Sequence, residues 1–288
     1  MGGFGQVLII LVGGHESNDG AELVRLEGVI EGTRAARPGR QFHNVVSTAL
    51  AAGKTVVVVP MTFGRNPTMV ADTAKTLRWL GAKHPGRLAL SAPFGTIDHL
   101  TAWLRAAANT ARTEDPDAVL VVVAPRSNPF DEAELHRVTY LVATHGAAEE
   151  VFPAILDKAG SILPVIERLR LLGLQCAVVV PAGFAAASDE ALGAGSLSGV
   201  RFAGPLISDS AIARTVRTRV GTALDALRDG HDGISAGLDA DHDHGYAHSH
   251  AFEATGHTHS HGGDQPHSHA DDTTHTHDNE GLHAHVHA

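Results

Sequence analysis

The residues best suited to chemistry follow the first apolar run of the chain. Residues 7–12 lead into Gly13-Gly-His-Glu-Ser-Asn-Asp-Gly20, where an imidazole and acidic side chains come directly after a predicted strand. A neutral imidazole can bind a divalent metal or accept a proton near neutral pH, and an acidic neighbour can orient it. We therefore predict that His15 and Glu16 are catalytic and that His15 binds metal. Ser17 is predicted to bind substrate, with helix capping as an equally good alternative.

A second concentration of histidines fills the end of the chain. Apolar periodicity disappears from His231 onward, and histidines recur in pairs and triplets spaced two positions apart. Such a segment buries too little apolar surface to offset its conformational entropy, so we expect disorder without metal. Imidazoles on a flexible chain suit Co, Ni, Cu and Zn. The predicted metal ligands of this tail are His242, His244, His248, His250, His257, His259, His261, His267, His269, His275, His277, His283, His285 and His287.

Four short apolar runs have the composition of fully buried strands. They are rich in β-branched residues and occupy positions 7–12, 55–59, 119–123 and 177–180. The stretches between them have helical apolar spacing. This alternation predicts an α/β fold with mainly parallel sheets flanked by helices.

The order of these segments repeats along the chain. Thr55-Val-Val-Val-Val-Pro60 corresponds to Ala177-Val-Val-Val-Pro181, and Ser91-Ala-Pro-Phe-Gly95 corresponds to Ala203-Gly-Pro-Leu-Ile207. Repeats of this length are domains. We predict two tandem related domains at 1–113 and 114–229, followed by the histidine-rich tail at 230–288.

Composition excludes several classes of protein. The formal net charge of −10, without a basic cluster, argues against nucleic acid as a partner. Residues 7–12 are too few to span a membrane and lack the flanks of a signal peptide. A lone Cys176 fits the cytoplasm, and its place in an apolar run indicates a buried thiol. No phosphate-binding Gly-x-x-x-x-Gly-Lys-Ser/Thr loop occurs, so no nucleotide cofactor is expected.

Several short motifs together resemble the class II chelatases, which insert cobalt, nickel or iron into sirohydrochlorin. Gly14-His-Glu-Ser-Asn-Asp19 is similar to that family's Gly-His-Gly-Ser-Arg-Asp opening. The strand ending in Pro60, the segment Ala92-Pro-Phe-Gly95 and the opening of the second half, Arg126-Ser-Asn-Pro129, match as well. The resemblance implies ATP-independent insertion of a divalent metal into a tetrapyrrole for cobalamin biosynthesis. Co²⁺ is the expected metal, with Ni²⁺ and Fe²⁺ as alternatives, and His15 would bind the metal or accept pyrrole protons.

The chain departs from this family at one position. Thr68 stands where the resemblance places a second active-site histidine, and a threonine hydroxyl cannot accept a proton at ordinary pH. His43 or His99 could supply the missing imidazole, or His15 with Glu16 could suffice. Of these, His43 is predicted as a metal ligand. Alternatively, the body has lost insertion chemistry, and the protein is a cobalt- or nickel-binding chaperone or reservoir.

Polar residues after other strands could hold a substrate rich in carboxylates. Arg65 and Asn66 follow Gly64 at a strand end, and Arg126 occupies the corresponding strand end of the second half. We predict that all three bind substrate, because guanidinium groups pair well with carboxylates. The alternatives are a solvated loop cation for Arg65 and a loop ion pair for Arg126. Duplication makes a monomer with an internal cleft sufficient, and a homodimer is the alternative.

Overall fold

A computed structural model describes residues 7–145, 150–156, 162–187 and 198–241. The first half contains β1 (Val7–Gly13), β2 (Thr33–Ala36), α1 (Arg40–Ala51), β3 (Thr55–Met61), α2 (Pro67–Gly81), β4 (Leu88–Leu90) and α3 (Ile97–Glu114). The second half contains β5 (Val119–Pro125), α4 (Pro129–Thr144), β6 (Val151–Leu156), α5 (Leu163–Leu171), β7 (Ala177–Pro181), β8 (Ala186–Ala187), β9 (Val200–Phe202), β10 (Gly204–Pro205) and α6 (Asp209–Arg228). A short helix, α7 (Ile234–Leu238), follows.

The first sheet is parallel, with the strand order β2-β1-β3-β4. Its two central strands, β1 and β3, are almost wholly buried, and their register pairs Val7 with Thr55 and Val12 with Pro60. Helices cover both faces of the sheet, so its strands need apolar side chains on both sides. This requirement explains the continuous β-branched runs in the sequence.

The second sheet has the same arrangement. Its order is β6-β5-β7-β9, again parallel throughout, and a small antiparallel pair of β8 and β10 lies beside it. The four runs predicted as buried strands are therefore the central strands of the two sheets. The predicted α/β class is confirmed.

The two halves share a hydrophobic core. α3, the last helix of the first half, packs against α4 and β7, whereas α6, the last helix of the second half, packs against β3 and β4. One cluster of buried side chains includes Val59 of the first sheet, Val122 of the second sheet and Val216 of α6. The predicted boundary at 113/114 coincides with the end of α3, but the core continues across it.

The predicted tail at 230–288 begins too early. α7 packs against α2 and β4, Ile234 is only 5% exposed, and the amide of Leu90 donates to the carbonyl of Asp232 at 2.8 Å. The apolar pattern of this helix is too short to stand out in the sequence. The tail histidines from 242 to 288 lie outside the described residues.

Among the described residues, no helix is both long enough and apolar enough to cross a bilayer.

Candidate functional site

A tight loop carries the predicted catalytic residues away from the end of β1. Residues His15–Ser17 form a single 3₁₀ turn, and Asn18 and Asp19 both have a φ of 50°. Gly13 is required here, because a Cβ at this position would lie 2.1 Å from Ser17 Oγ. The loop therefore folds back closely on the strand that it leaves.

Ser17 shapes this loop. Its hydroxyl is fully buried, donates to the carbonyl of Gly14 at 3.1 Å and accepts from the amide of Gly20 at 3.2 Å. Both bonds lie within the loop. These contacts favour the structural alternative for Ser17 over the predicted contact with substrate.

His15 points from this loop to the start of the second half. Its side chain is 12% exposed, and Nδ1 lies 3.2 Å from Ser127 Oγ and 3.5 Å from Asp131 Oδ2. The other ring nitrogen, Nε2, is buried and has no hydrogen-bond partner within the described part of the chain. The ring is thus held on one side and leaves a nitrogen without a partner on the other.

The surroundings of His15 keep its ring neutral. Burial, followed by the positive charge of Arg65, lowers the pKa of His15 to about 3. A metal ligand must be deprotonated, so protons do not compete with a metal ion for this imidazole at neutral pH.

Glu16 is buried between the two halves. One carboxylate oxygen accepts from the hydroxyl of Thr62 and the other from the amide of Phe63 at 2.9 Å, while its backbone carbonyl accepts from the amide of Phe184 at 2.8 Å. Gly183 permits this approach, because a Cβ there would lie 2.4 Å from the Glu16 carbonyl oxygen. Burial raises the pKa of Glu16, although Arg65 and the two side-chain bonds oppose the shift.

Arg65 is buried rather than solvated. It is 1% exposed, and its Nη1 donates to the carbonyl of Ala182 in the second half at 3.1 Å. Its Nε and Nη2 have no partner among the described residues. Arg65 and Asp131 line a cavity of about 120 Å³. A buried guanidinium with unused donors can accept an anionic group of a ligand.

The other two predicted substrate residues differ from Arg65. Asn66 caps α2 by accepting from the amide of Met69 at 3.2 Å, and this end of its side chain adjoins Gly14. Arg126 is 61% exposed and forms an ion pair with Glu132 at 3.7 Å. Arg126 is therefore available to a ligand at the surface, while Asn66 also has a structural role.

The histidines considered as partners for His15 make other contacts. His43 on α1 packs against Trp79, with ring centroids 5.4 Å apart, and its Nδ1 lies 3.4 Å from Asn44 Oδ1. His99 accepts from the amide of Thr96 at 3.1 Å in a capping box at the start of α3. The structure places neither ring with His15. Thr68 is exposed in the first turn of α2.

Sequence reasoning missed the second-half side of the site. Ser127 donates to Asp131 Oδ2 at 2.9 Å, and Asn128 Nδ2 donates to the same oxygen at 2.9 Å. The usable signal was the repeat itself, because β1 and β5 are equivalent strands and the loops that follow them meet. Among the described residues, no group of three or more His, Cys, Asp or Glu side chains is arranged to hold a metal ion.

Several solved structures are similar to this chain. The sirohydrochlorin chelatase SirB from Bacillus subtilis subspecies spizizenii, in complex with cobalt, matches 78% of this chain and 97% of its own, with 15% identity and a TM-score of 0.45. The multi-domain protein DR2241 from Deinococcus radiodurans, described as structurally similar to chelatases, matches 74% of this chain with 18% identity and a TM-score of 0.38. This chain spans about half, 54%, of DR2241.

A periplasmic sugar-binding protein from Legionella pneumophila matches 60% of this chain and 70% of its own, with 12% identity and a TM-score of 0.32. No family model and no curated protein matches the chain. These three similarities are distant, because each has a TM-score below 0.5 and an identity below 20%.

Proposed function

We propose that this protein is a metal chelatase that inserts a divalent ion into a tetrapyrrole of the sirohydrochlorin class. The observation that carries the proposal is the state of His15. Its ring is neutral, is held at Nδ1, and has a buried Nε2 without a hydrogen-bond partner among the described residues. Imidazole in this state is a good ligand for Co²⁺, the expected metal substrate, and for Ni²⁺ and Fe²⁺.

Glu16 complements His15 in the proposed reaction. Insertion of a divalent ion into a tetrapyrrole releases two pyrrole protons, which need an acceptor. Burial raises the pKa of Glu16 and lowers that of His15. We therefore assign different roles to these two neighbouring residues. His15 binds the metal, and Glu16 accepts the two pyrrole protons one after the other, passing the first to water before it takes the second. No step of this scheme requires ATP.

The arginines fit a substrate with many carboxylates. Arg65 has two donor nitrogens without partners at the junction of the halves, and Arg126 lies exposed at the end of β5. We assign both to binding of the acid side chains of the tetrapyrrole, together with Asn66. Because the His15 ring is only 12% exposed, a macrocycle can reach it only if the surrounding loops move on binding.

The test is anaerobic metal insertion by the full chain. Purified protein is mixed with sirohydrochlorin and Co²⁺, and the absorbance of the macrocycle is followed. We expect His15→Gln to reduce the rate by roughly 10²–10⁴-fold, the range for loss of a group that acts directly at the reacting centre. His43→Gln is the matched control, because His43 contacts Trp79 and should leave the rate unchanged. A wild-type rate equal to the uncatalysed background would exclude the chelatase proposal.

A second candidate is a cobalt- or nickel-binding carrier. It is favoured by Thr68 and by the lack, among the described residues, of a three-ligand metal group. In this case the protein would bind Co²⁺ tightly, but insertion would stay at background. We also propose that the tail histidines store or supply metal. A variant ending at residue 241, which keeps α7 and lacks every predicted tail ligand, tests this by comparing its Co²⁺ stoichiometry and insertion rate with those of the full chain.

A further inference from the structure

The side of His15 that faces the second half forms a chain of hydrogen bonds. His15 Nδ1 lies 3.2 Å from Ser127 Oγ, and Ser127 Oγ lies 2.9 Å from Asp131 Oδ2. Asp131 is 2% exposed, so little water is available to replace these bonds. The direction of each bond decides which nitrogen of His15 carries the proton.

The direction can be worked out from the donors. Ser127 Oγ donates its single hydroxyl proton to Asp131 Oδ2 at 2.9 Å. Ser127 Oγ can then only accept from His15, which requires a proton on His15 Nδ1. A neutral imidazole carries one proton, so Nε2 is then left with a lone pair. Nε2 has no hydrogen-bond partner of either kind among the described residues, so the bond to Ser127 decides the tautomer.

Asn128 holds Asp131 in this arrangement. Its side-chain oxygen accepts from the amides of Phe130 and Asp131, both at 3.0 Å, and thereby caps α4. The amide group can therefore present only its Nδ2 to Asp131 Oδ2, at 2.9 Å. Ser127 and Asn128, at the start of α4, therefore both donate to this carboxylate.

We propose that Asp131 and Ser127 are positioning residues that hold His15 as the Nδ1–H tautomer and present Nε2 as the nitrogen that binds metal. The part concerning metal rests on the proposed function. A carboxylate behind a histidine fixes ring orientation and raises ligand basicity in metal sites. Here the ligand comes from the first half and the group that orients it from the second half.

The tautomer can be read directly by NMR of the metal-free full chain. Imidazole ¹⁵N shifts separate protonated from unprotonated ring nitrogens, and His15→Gln identifies the His15 signals. We expect a protonated Nδ1 and an unprotonated Nε2 in the wild type. Ser127→Ala removes the oxygen nearest to Nδ1 and should give a mixture of tautomers. A wild-type ring protonated at Nε2 would overturn the proposal.

Metal binding supplies the second measurement. Zn²⁺ is diamagnetic, so its binding to His15 can be followed on the same signals, with free Zn²⁺ fixed by a competing chelator so that the tail does not deplete it. We expect Zn²⁺ to shift Nε2 and Asp131→Asn to raise the midpoint about 10–100-fold, the usual effect of losing such a partner. Asp225→Asn is the matched control, because Asp225 is exposed and pairs with Arg228.

An unchanged midpoint in Asp131→Asn, or a shift at Nδ1, would also overturn the proposal. If Asp131→Asn does not fold, Ser127→Ala serves for the Zn²⁺ measurement, with a raised midpoint expected. None of these measurements involves a tetrapyrrole. If the tautomer and the Zn²⁺ response are as expected while cobalt insertion stays at background, the chelatase proposal fails and the positioning role stands.

Discussion

The two halves have the same strand order but carry different chemistry at equivalent strand ends. The loop after β1 supplies His15 and Glu16, whereas the loop after β5 supplies Ser127 and the first turn of α4 supplies Asp131. In our proposals the first pair binds metal and takes up protons. Ser127 and Asp131 lie next to His15 and hold its ring. The comparison shows that the second sheet repeats the architecture of the first without repeating its reactive side chains.

This difference explains why the halves depend on each other. Glu16 and Arg65 belong to the first half, but the carbonyl of Glu16 and the guanidinium of Arg65 are bonded to Phe184 and Ala182 of the second. The exchange of α3 and α6 across the junction adds apolar contacts in both directions. The first half therefore provides the reactive groups and the nearby charge of Arg65, and contacts from the second half help to bury them.

The largest expected effect is on stability. Arg65 and Glu16 form a buried charge group in the first half, in which the positive charge of Arg65 favours the ionised form of the buried Glu16 carboxyl. Arg65→Met removes this positive charge. Leaving a buried charge without compensation costs about 3–5 kcal/mol. We expect the free energy of unfolding, measured by urea denaturation, to fall by that amount. The double variant Arg65→Met/Glu16→Gln should cost less than the sum of the two single changes.

Arg126→Met is the matched control for this experiment. It makes the same substitution at the equivalent strand end of the second half, where the side chain is 61% exposed. A loss of less than about 1 kcal/mol in Arg65→Met, the range of an exposed ion pair, would show that Arg65 is not part of a buried charge group.

The sequence allowed the central strands of both sheets to be predicted, but it did not allow the burial of Arg65 or the role of Asp131 to be predicted. The runs that became β1, β3, β5 and β7 are recognisable because a strand covered on both faces must be apolar throughout. Arg65 could not be identified as buried, because its local sequence, Gly64-Arg-Asn66, is that of a surface loop. Only the contact between the halves buries it. Asp131 was missed for the same reason, since its partner His15 is distant in sequence and the two meet only through the pairing of the halves.

The second effect, of about 2 kcal/mol, comes from the pH dependence of folding. The pKa of His15 falls from 6.5 to about 3 on folding. Between these values the unfolded chain binds a proton that the folded chain does not, so stability present above pH 6.5 is lost as the pH falls. One pKa unit corresponds to about 1.4 kcal/mol, so lowering the pH from 7 to 5 should cost the wild type about 2 kcal/mol more than His15→Gln.

The comparison is made by urea denaturation of both chains between pH 5 and 7. Glu16 has a raised pKa and therefore the opposite sign, because its contribution is present at low pH and is lost as the pH rises through its folded-state pKa. The difference in pH dependence of the free energy of unfolding between wild type and His15→Gln isolates the contribution of His15. Equal pH dependence in wild type and His15→Gln would mean that the ring is not shielded by the second half.

A smaller effect, of about 1 kcal/mol, concerns a pair of equivalent positions that carry the same aromatic residue. Phe63 and Phe184 each follow the proline near the end of a central strand, and their rings stack with centroids 5.0 Å apart. A double-mutant cycle with leucine at both positions should give a coupling energy of about 0.5–1.5 kcal/mol. The control cycle pairs Phe184 with Phe42, which packs in a different core cluster. That cycle should be additive within about 0.5 kcal/mol.

The smallest effect on stability is expected at Arg126, which is exposed, in contrast to the buried Arg65. Its ion pair with Glu132 is exposed, so Arg126→Gln should change the free energy of unfolding by less than about 1 kcal/mol. If the exposed guanidinium attracts the tetrapyrrole's carboxylates, the same change should raise KM for sirohydrochlorin several-fold and leave kcat unaltered. That attraction acts through solvent, so it should disappear at about 1 M salt, where the Debye length falls to about 3 Å. A KM effect that persists at high salt would instead place Arg126 in a desolvated contact like that of Arg65.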